Sequence, residues 1–499
     1  MGEELPCSDS LHLGNGKGKV SVNNMKALSR RAFLASSISA ATLAVMACSS
    51  GTTTSGGGSS APTPPATAPT SGSASAPAAT AAPAPAGVTK LVYWTFMPTN
   101  PRFQARPTIF AEFGKQNNAT IEVDDVTAGN PENQKLAASF AAHVEPDILD
   151  PDTSDRTVQW GQQGFLLPVD DLVNQIGKDD FPKVSITFGT WQGKLYGIPL
   201  LGYPHVMHYR KDWLDEAGIK PPETTDELIT AAKKLTGTTS AGQQRFGVSA
   251  YFASVHAPPF FQNFVGPNEG YTFDEKGNIV IDSEQVFQAM KAVNTILPYA
   301  APGYTNLQYG DTRNLYTEGK IAIEIDSTSM GVALVSGEKQ HPEVTNNTAS
   351  QLIPWGPSSK KDRSGFNGIT YFAIGAQTKY ADLVRKFMSW FYSTDVYTRA
   401  FLSYDWGLIP QRISVATDQK WFSQVPKPAQ SVIKAGTEAV KYDTFPGEDW
   451  GPSPAGNQLV AADTYRNLLI KVSQAKSDSD IKAALQWAKN DVKQAIQQG

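Results

Sequence analysis

Apolar runs and polar breaks alternate through the first part of the globular sequence, and they predict strands and helices in turn. Residues 91–96 form a short apolar run typical of a buried strand, and residues 107–113 carry apolar side chains at helical spacing. The same alternation continues, with strands expected at residues 120–126 and 147–150 and a helix between them at residues 133–142. Because alternating elements favour a mostly parallel sheet, we expect an α/β fold with its site beyond the carboxyl ends of the strands.

Residues 191–237 are the most informative stretch, because three different elements follow one another there. Residues 196–209 are apolar and β-prone but are interrupted by glycine and proline, which predicts a long, bent strand. A short helix is then expected up to Gly218, and a second helix should begin at Thr224, where Glu227 three residues later completes a capping box.

Later segments add a strand at residues 246–251 and a strand at residues 364–374. Two helices with clear apolar faces are expected at residues 383–391 and 481–496. The segment His-Ala-Pro-Pro-Phe-Phe at residues 256–261 combines aromatic side chains with two prolines. We interpret it as an aromatic loop broken by its prolines.

These segments, in this order, resemble the extracellular solute-binding proteins of ABC importers, in the family that includes the maltose-binding and other carbohydrate-binding members. Family members typically read GKLYGIP, YNKD, EAGL, PPxTWDEL and AAKKLT. The counterparts here are residues 193–199, 209–212, 216–219, 221–228 and 231–236. Weaker resemblance covers most of residues 89–499. One departure is that the family's Gly-Pro-Trp is replaced by Ser327-Thr328-Ser329, so an aromatic contact of the family is missing.

The resemblance implies two lobes, each a mostly parallel sheet flanked by helices, with a ligand cleft between them. A chain of 499 residues also exceeds what one hydrophobic core usually supports. The expected first lobe is residues 89–203 with 367–403, and the expected second lobe is residues 204–366 with 404–499. The crossing segments 196–209 and 365–374 would then serve as hinges.

The amino-terminal part has the pattern of an export signal followed by a tether. Arg30 and Arg31 lie in a twin-arginine signature, an apolar stretch follows, and residues 1–47 are therefore predicted to be a lipoprotein signal peptide that starts at Met1 or at Met25. Cys48 follows a partial lipobox and is the predicted lipidation site. Residues 48–88 are rich in Gly, Ser, Thr, Pro and Ala without charge, which predicts a flexible linker.

Composition excludes several classes of partner. The chain has 43 Lys and Arg against 47 Asp and Glu, with no basic stripe, so we expect no nucleic-acid partner. The two cysteines, Cys7 and Cys48, both precede the globular part, which excludes an internal disulfide and a cysteine metal site there. The six histidines lack metal-ligand spacing. We expect no metal, no cofactor and a monomer.

Candidate ligand contacts are aromatic rings and planar polar groups near the expected cleft, because sugars present apolar ring faces and hydroxyl rims. The resemblance implies a contact for Trp94 and for Asp155 and Arg156, with core packing and a solvated loop as the alternatives. Other candidates lie in the crossing segments or in loops, where core packing is again the alternative for the rings; they are Tyr203, His205, Phe260, Phe261, Trp355, Asn367, Gly368, Trp406 and Trp450.

The function that the resemblance implies is that of an exported, lipid-anchored receptor that binds a mono- or oligosaccharide and delivers it to an ABC permease without catalysis. One alternative keeps transport and changes the solute to a polyol phosphate, a polyamine or a metal–anion complex. Another is an exported glycoside hydrolase, because Glu448 and Asp449 adjoin Trp450. Hydrolase motifs such as G-x-S-x-G and H-E-x-x-H are absent from the sequence.

Overall fold

The computed structural model describes residues 87–95, 106–126, 132–151, 153–239, 242–253, 256–359, 365–402, 407–442, 445–448 and 450–498. These residues belong to one compact unit that begins at Ala81. The predicted signal peptide with Arg30 and Arg31, the predicted lipidation site Cys48 and the candidate contact Trp406 lie outside the described residues.

Strands occur throughout this unit and include every strand that the sequence predicts. They are β1 (Thr89–Thr95), β2 (Ala119–Asp125), β3 (Ile148–Asp150), β4 (Thr190–Trp191), β5 (Lys194–Leu195), β6 (Ile198–Arg210), β7 (Gly237–Thr238), β8 (Gln244–Val248), β9 (Ile321–Ser327), β10 (Thr348–Gln351), β11 (Asn367–Ile374) and β12 (Ile409–Pro410).

Helices fill the intervals. In the first half they are α1 (Arg106–Asn117), α2 (Glu132–Ala142), α3 (Ser154–Gln162), α4 (Asp170–Ile176), α5 (Lys183–Phe188), α6 (Lys211–Ala217), α7 (Thr225–Leu235), α8 (Ala257–Val265), α9 (Glu284–Ile296) and α10 (Tyr309–Thr317). In the second half they are α11 (Met330–Gly337), α12 (Pro342–Thr345), α13 (Ala381–Phe391), α14 (Thr394–Leu402), α15 (Ile413–Ala416), α16 (Gln419–Phe422), α17 (Lys427–Ala439), α18 (Pro454–Ala461), α19 (Thr464–Gln474) and α20 (Asp478–Gln498). Single 3-10 turns lie at Lys178–Asp180, Gly266–Asn268 and Leu297–Tyr299.

The main sheet is mixed, with the strand order β2-β1-β3-β11-β6-β9-β8-β7. Strand β1 pairs in parallel with β2 and β3, and β8 pairs in parallel with β9, as the alternation of helices and strands predicts. The central strands pair antiparallel, because β11 runs against β3 and β6, and β6 runs against β9, and the edge strand β7 also runs against β8. The parallel strands β2, β1 and β3 are thus separated from the parallel pair β9 and β8 by strands β11 and β6.

Strand β6 connects the two parts of the sheet. Its first half pairs with β11 from Ile198 to Pro204, and its second half pairs with β9 from His205 to Tyr209. The residues of β6 are buried apart from the half-buried Tyr203, which explains the near-continuous apolar sequence. The predicted long strand is confirmed, and so is the Thr224 capping box, in which Thr224 Oγ1 accepts the N–H of Glu227 at 3.2 Å.

Two hydrophobic cores lie on either side of this crossing. The first core packs β1, α1, β11, α13 and α14 and contains Ile198, Leu200 and Leu201 of β6. The second core packs α7, α8, α9, β9, α19 and α20 and contains Met207 and Tyr209 of the same strand. Side chains between Leu408 and Val440, a segment assigned above to the second lobe, contribute to the first core. The exact lobe boundaries stay a prediction.

The prediction of an aromatic loop at residues 256–261 is wrong. Residues Ala257–Val265 form helix α8, and both prolines lie in its first turn. Proline is tolerated there because the first amide groups of a helix have no partner within the helix, so the missing N–H costs nothing. The helix is buried on all sides, and Phe260 and Phe261 belong to the second core.

Candidate ligand-binding site

A cavity of about 690 Å³ opens to solvent between segments that belong to different cores. One wall comes from the 3-10 turn at Lys178, from α5 and from β4. The other wall comes from a hairpin at residues 271–279 and from the loop that leads into α18. The lining residues are Lys178, Ile186, Thr187, Thr190, Phe273, Asp274, Glu275, Gly277, Gly447, Trp450, Gly451, Pro452, Ser453, Ala455 and Ile496.

Trp450 gives this cavity a flat apolar surface. Half of the side chain, 51%, is exposed, which is unusual for a tryptophan and distinguishes it from a core residue. Its indole N–H donates to the carbonyl oxygen of Phe273 at 3.0 Å, and the ring of Tyr271 lies 5.1 Å away. The ring is therefore exposed and held in place at once, which suits a platform for stacking.

A smaller cavity of about 180 Å³ adjoins the first at Ser453. Its lining is largely polar, with carboxylates and amides from α3 and from the segment around α18: Asp155, Val158, Gln159, Gln162, Gln163, Glu448, Ser453 and Gln458. Ser154 at the start of α3 donates its hydroxyl proton to Glu448 at 3.3 Å. Helix α3 and Glu448 thus connect the side of the first core to the segment that packs on the second core.

The small cavity also lies near the crossing strands. Burial raises the pKa of Tyr371 on β11 well above its ordinary value, and the carboxylates of Glu448 and Asp155 raise it further. The Tyr371 hydroxyl is thus a neutral donor, and it donates to the carbonyl oxygen of Ser185 at 2.8 Å. Asp155, one of the predicted contacts, therefore lies with Glu448 beside the strands that join the two cores.

A pair of buried amides lies where β6, β11 and β12 meet. Asn367 and Gln411 are 5% and 0% exposed, and among the residues that the structure describes the Asn367 side chain and Gln411 Nε2 have no hydrogen-bond partner. Gln411 Oε1 accepts from the Ser185 hydroxyl at 2.5 Å. A methyl group at Gly202 would lie 2.5 Å from Gln411 Nε2 and 3.3 Å from Asn367 Oδ1. Glycine is therefore needed here to leave room for both amides.

Tyr203 and Gly368 face each other across β6 and β11. A methyl group at Gly368 would lie 1.8 Å from Cε2 of Tyr203, so the tyrosine ring covers the glycine. Tyr203 is half-buried and packs against the first core. Its ring therefore helps to close the surface of the crossing strands, and what it contributes to ligand binding stays a prediction.

His205 is buried on the second-core side of the crossing. Its Nδ1 accepts from the side-chain amide of Asn263 at 2.9 Å, and Asn263 Oδ1 accepts the N–H of Phe366 at 3.1 Å. Burial lowers the pKa of His205 to about 3, although Asp326 opposes this shift. The ring is therefore neutral at physiological pH and ties β6 to the start of β11.

The remaining candidates lie away from these cavities. Trp94 is buried in a small cluster with Leu136, Phe140 and Trp160, so it packs as a core residue. Trp355 forms a bridge with Thr224 at the start of α7, and its carbonyl oxygen accepts the N–H of Thr225 at 2.9 Å. Phe260 and Phe261 belong to the second core, as described above. Arg156 lies on α3 with its guanidinium 6.0 Å from the ring centre of Trp160.

Several residues of the candidate site were not predicted from the sequence. Tyr271 and Phe273 precede a turn whose signal, Asp-Glu-Lys-Gly-Asn, was available, but nothing in that pattern places the hairpin beside Trp450. Gln411 follows strand β12, and only the fold brings its amide to Gly202. Within the described part of the chain, no group of three or more His, Cys, Asp and Glu could hold a metal ion. The same residues contain no helix long and apolar enough to span a membrane.

Known proteins share this sequence pattern and fold. The family described as bacterial extracellular solute-binding protein matches residues 98–398. A binding protein of Brucella abortus is 24% identical over 281 residues, which cover 56% of this chain and 65% of that protein. The chain thus spans slightly less than two thirds of that relative. The arabinooligosaccharide-binding protein of Bacillus subtilis is 24% identical over 320 residues, or 61% of this chain and 69% of that protein.

A solved structure agrees over a longer part of the chain. The solute-binding protein of an ABC transporter from Agrobacterium radiobacter, in complex with ribitol, superposes with a TM-score of 0.64. The superposition covers 82% of this chain and 98% of that one, at 18% identity. Likeness at this identity establishes the fold alone, and it confirms the predicted α/β fold class.

Proposed function

Because the chain belongs to the family of bacterial extracellular solute-binding proteins, we propose that it is the receptor of an ABC importer and that it binds a sugar or polyol. The names of the relatives support this ligand class, since one is an arabinooligosaccharide-binding protein and one solved structure holds ribitol. In this proposal the receptor delivers its ligand unchanged to the permease subunits, and no covalent step occurs.

The observation that carries the proposal is the exposed Trp450 in a cavity between the two cores. An indole face matches the apolar C–H face of a sugar ring, and its N–H is already occupied by Phe273, so stacking is what remains for a ligand. The threonine and serine hydroxyls of the lining and the carboxylates of the adjoining small cavity can accept hydrogen bonds from hydroxyl groups.

Ligand capture would use the strands that cross between the cores. Strand β6 contributes side chains to both cores, β11 pairs with its first half, and Phe366 before β11 donates its N–H to Asn263 of α8. Movement of the two lobes about these strands would open and close the cavity. The Ser154–Glu448 hydrogen bond joins the two sides at the cavity and would have to break when the lobes separate. The proposed lobes are residues 89–203 with 367–403 and residues 204–366 with 404–499, except that side chains between Leu408 and Val440 pack into the first core.

The ligand class can be tested with the purified protein. Intrinsic tryptophan fluorescence and melting temperature would be recorded with pentoses, hexoses, their oligosaccharides, ribitol and mannitol, and in parallel with polyamines and glycerol phosphate. We expect at least one sugar or polyol to change both signals and to be recovered unchanged. A response to polyamines or phosphates alone, or turnover of the sugar, would overturn the proposal.

We also propose that the protein is exported and held at the membrane by a lipid on Cys48. The support is the family, which is extracellular, together with the twin-arginine signature and the partial lipobox. Replacement of Cys48 by serine should move the protein from the membrane fraction to the soluble fraction and remove a lipid-dependent shift in electrophoretic mobility. A Cys48→Ser protein that stays in the membrane fraction with unchanged mobility would contradict the anchor.

A further inference from the structure

We infer that the cavity binds a chain of more than one sugar unit and that the hairpin at residues 271–279 makes the affinity depend on the length of this chain. The inference rests on the proposed function and narrows it to oligosaccharides. It follows from the size of the cavity, from the rigidity of the hairpin and from the contacts that join the hairpin to Trp450.

The cavity is larger than a single sugar ring requires. Its volume of about 690 Å³ lies well inside the ~300–1,000 Å³ range of pockets that enclose drug-sized ligands. A single pentose or hexose has far fewer atoms than such a ligand. One ring stacked on Trp450 would therefore leave much of the cavity to water, whereas a chain of rings would exclude that water from the remaining walls.

The hairpin is a preformed wall. Asp274 accepts hydrogen bonds from the backbone N–H groups of Lys276 and Asn278 at 2.9 and 2.8 Å, and also from the Asn278 side chain. Gly277 completes the turn with a φ of +79°, a conformation that favours glycine, and Phe273 and Ile279 form a bridge at its base. The shape of this wall is thus fixed by contacts within the hairpin, before any ligand binds.

The same hairpin positions the stacking ring. The Phe273 carbonyl oxygen accepts the indole N–H of Trp450, and the Tyr271 ring lies 5.1 Å from the Trp450 ring at an angle of 50°. The platform and the wall therefore form one unit. A sugar unit stacked on Trp450 lies in the same cavity as Asp274, Glu275 and Gly277, where a following unit would meet the hairpin.

The other wall offers groups that suit a neutral, hydroxylated chain. Thr187 and Thr190 donate their hydroxyl protons to the carbonyl oxygens of Lys183 and Ile186, at 3.0 and 2.7 Å. Their oxygen atoms thus remain available as acceptors for ligand hydroxyls, and Lys178 adds a donor. The lining carries charge of both signs, since Lys178 is positive and Asp274 and Glu275 are negative. Such a lining does not select a strongly charged ligand.

The experiment compares affinities along two series, arabinose, arabinobiose and arabinotriose, and glucose, maltose and maltotriose, by titration calorimetry of the full chain. In the series that binds, we expect the trisaccharide to bind at least ten-fold more tightly than the monosaccharide. Tyr271→Ala should weaken both ligands, the monosaccharide about two-fold and the trisaccharide about ten-fold, because both lose the ring that packs beside Trp450 and only the longer ligand also meets the hairpin wall. Tyr271→Phe, which keeps the ring, should restore the wild-type ratio of trisaccharide affinity to monosaccharide affinity.

Tyr380→Ala is the matched control, since Tyr380 is also partly exposed and lies at the start of α13, and the ratio of affinities should not change. Melting temperatures would establish that each variant is folded. A monosaccharide that binds as tightly as the trisaccharide, or an equal loss for all lengths in Tyr271→Ala, would overturn this inference and leave the proposed function standing. Failure of every sugar in both series would overturn the inference and the carbohydrate assignment together.

Discussion

Trp450 and Phe261 are aromatic side chains that belong to the same side of the molecule, and they have opposite environments. Phe261 is completely buried, and its ring packs 4.8 Å from the ring of Tyr465 in the second core. Trp450 is 51% exposed and is held by a hydrogen bond from its indole nitrogen rather than by burial. A phenylalanine has no polar atom with which to be held this way, so it is fixed only where other side chains surround it.

An exposed ring can therefore be rigid when a polar atom anchors it. Rings that contribute to stability and rings that can bind a ligand should then respond differently to substitution. The strongest expected effects on stability belong to the buried rings, and the smallest belongs to Trp450.

Removal of the Phe261 ring should cause the largest loss of stability. Phe261→Ala would leave a cavity in a core where the ring is fully enclosed, and such substitutions cost about 3–5 kcal/mol. Urea denaturation monitored by circular dichroism would measure the change in the free energy of unfolding. Variant protein that remains folded should bind ligand with wild-type affinity, and a specific loss of affinity without a loss of stability would show that Phe261 serves binding rather than the core.

His205 is a buried ring whose contribution should depend on pH. Burial lowers its pKa to about 3 in the folded protein, below the value of about 6.5 expected in the unfolded chain. The unfolded state therefore binds the proton first, so the contribution to stability is complete above pH 6.5 and is lost as the pH falls from about 6.5 to about 3. Between pH 7 and pH 4 the loss should be on the order of 3 kcal/mol.

The pH prediction is tested by urea denaturation from pH 7 to pH 4 in the wild-type protein and in His205→Gln. We expect a shallower dependence on pH in the variant. His208 should contribute in the same direction, because burial lowers its pKa to about 4. It is present in both proteins, so its contribution does not affect the difference between them. Identical slopes in the two proteins would show that His205 is not held neutral by burial.

A third effect on stability concerns the contact between Tyr203 and Gly368. Gly368→Ala would place a methyl group 1.8 Å from the Tyr203 ring and should cost about 1–3 kcal/mol, because the ring has to move. The double variant Gly368→Ala with Tyr203→Ala should lose less stability than the sum of the single variants. Thermal denaturation would give these values, and strict additivity would mean that the two residues do not pack against each other.

Much of the fold could be predicted from the sequence because local patterns and long-range packing agree there. The continuous apolar run of β6 reflects burial on both faces, and the Thr224 capping box is a local motif made by two residues three positions apart. Residues 256–261 show the opposite case. Two prolines indicated a loop, whereas the first turn of a buried helix tolerates both, and only the apolar surroundings of α8 favour the helix.

The candidate site was less predictable because it is assembled from distant segments. Lys178, Phe273 and Trp450 line one cavity, and no periodic pattern connects them. Trp94 was expected near the ligand on account of its position at the end of β1, but Phe140 and Trp160 enclose it. Burial of a single ring depends on which helix packs over it, and that information is spread over the whole chain.

Trp450→Ala should have the smallest effect on stability and a clear effect on binding. The substitution removes one hydrogen bond and a half-exposed ring, so the free energy of unfolding should fall by about 1 kcal/mol or less. Ligand affinity should fall ten-fold or more, equivalent to about 1.4 kcal/mol, because the stacking surface is lost. Titration calorimetry together with urea denaturation measures both quantities on the same preparation. Trp450→Phe should recover part of the affinity, and recovery will be incomplete because Phe lacks the N–H that Phe273 accepts. If Trp450→Ala instead lost several kcal/mol of stability, the ring would be a structural residue like Phe261.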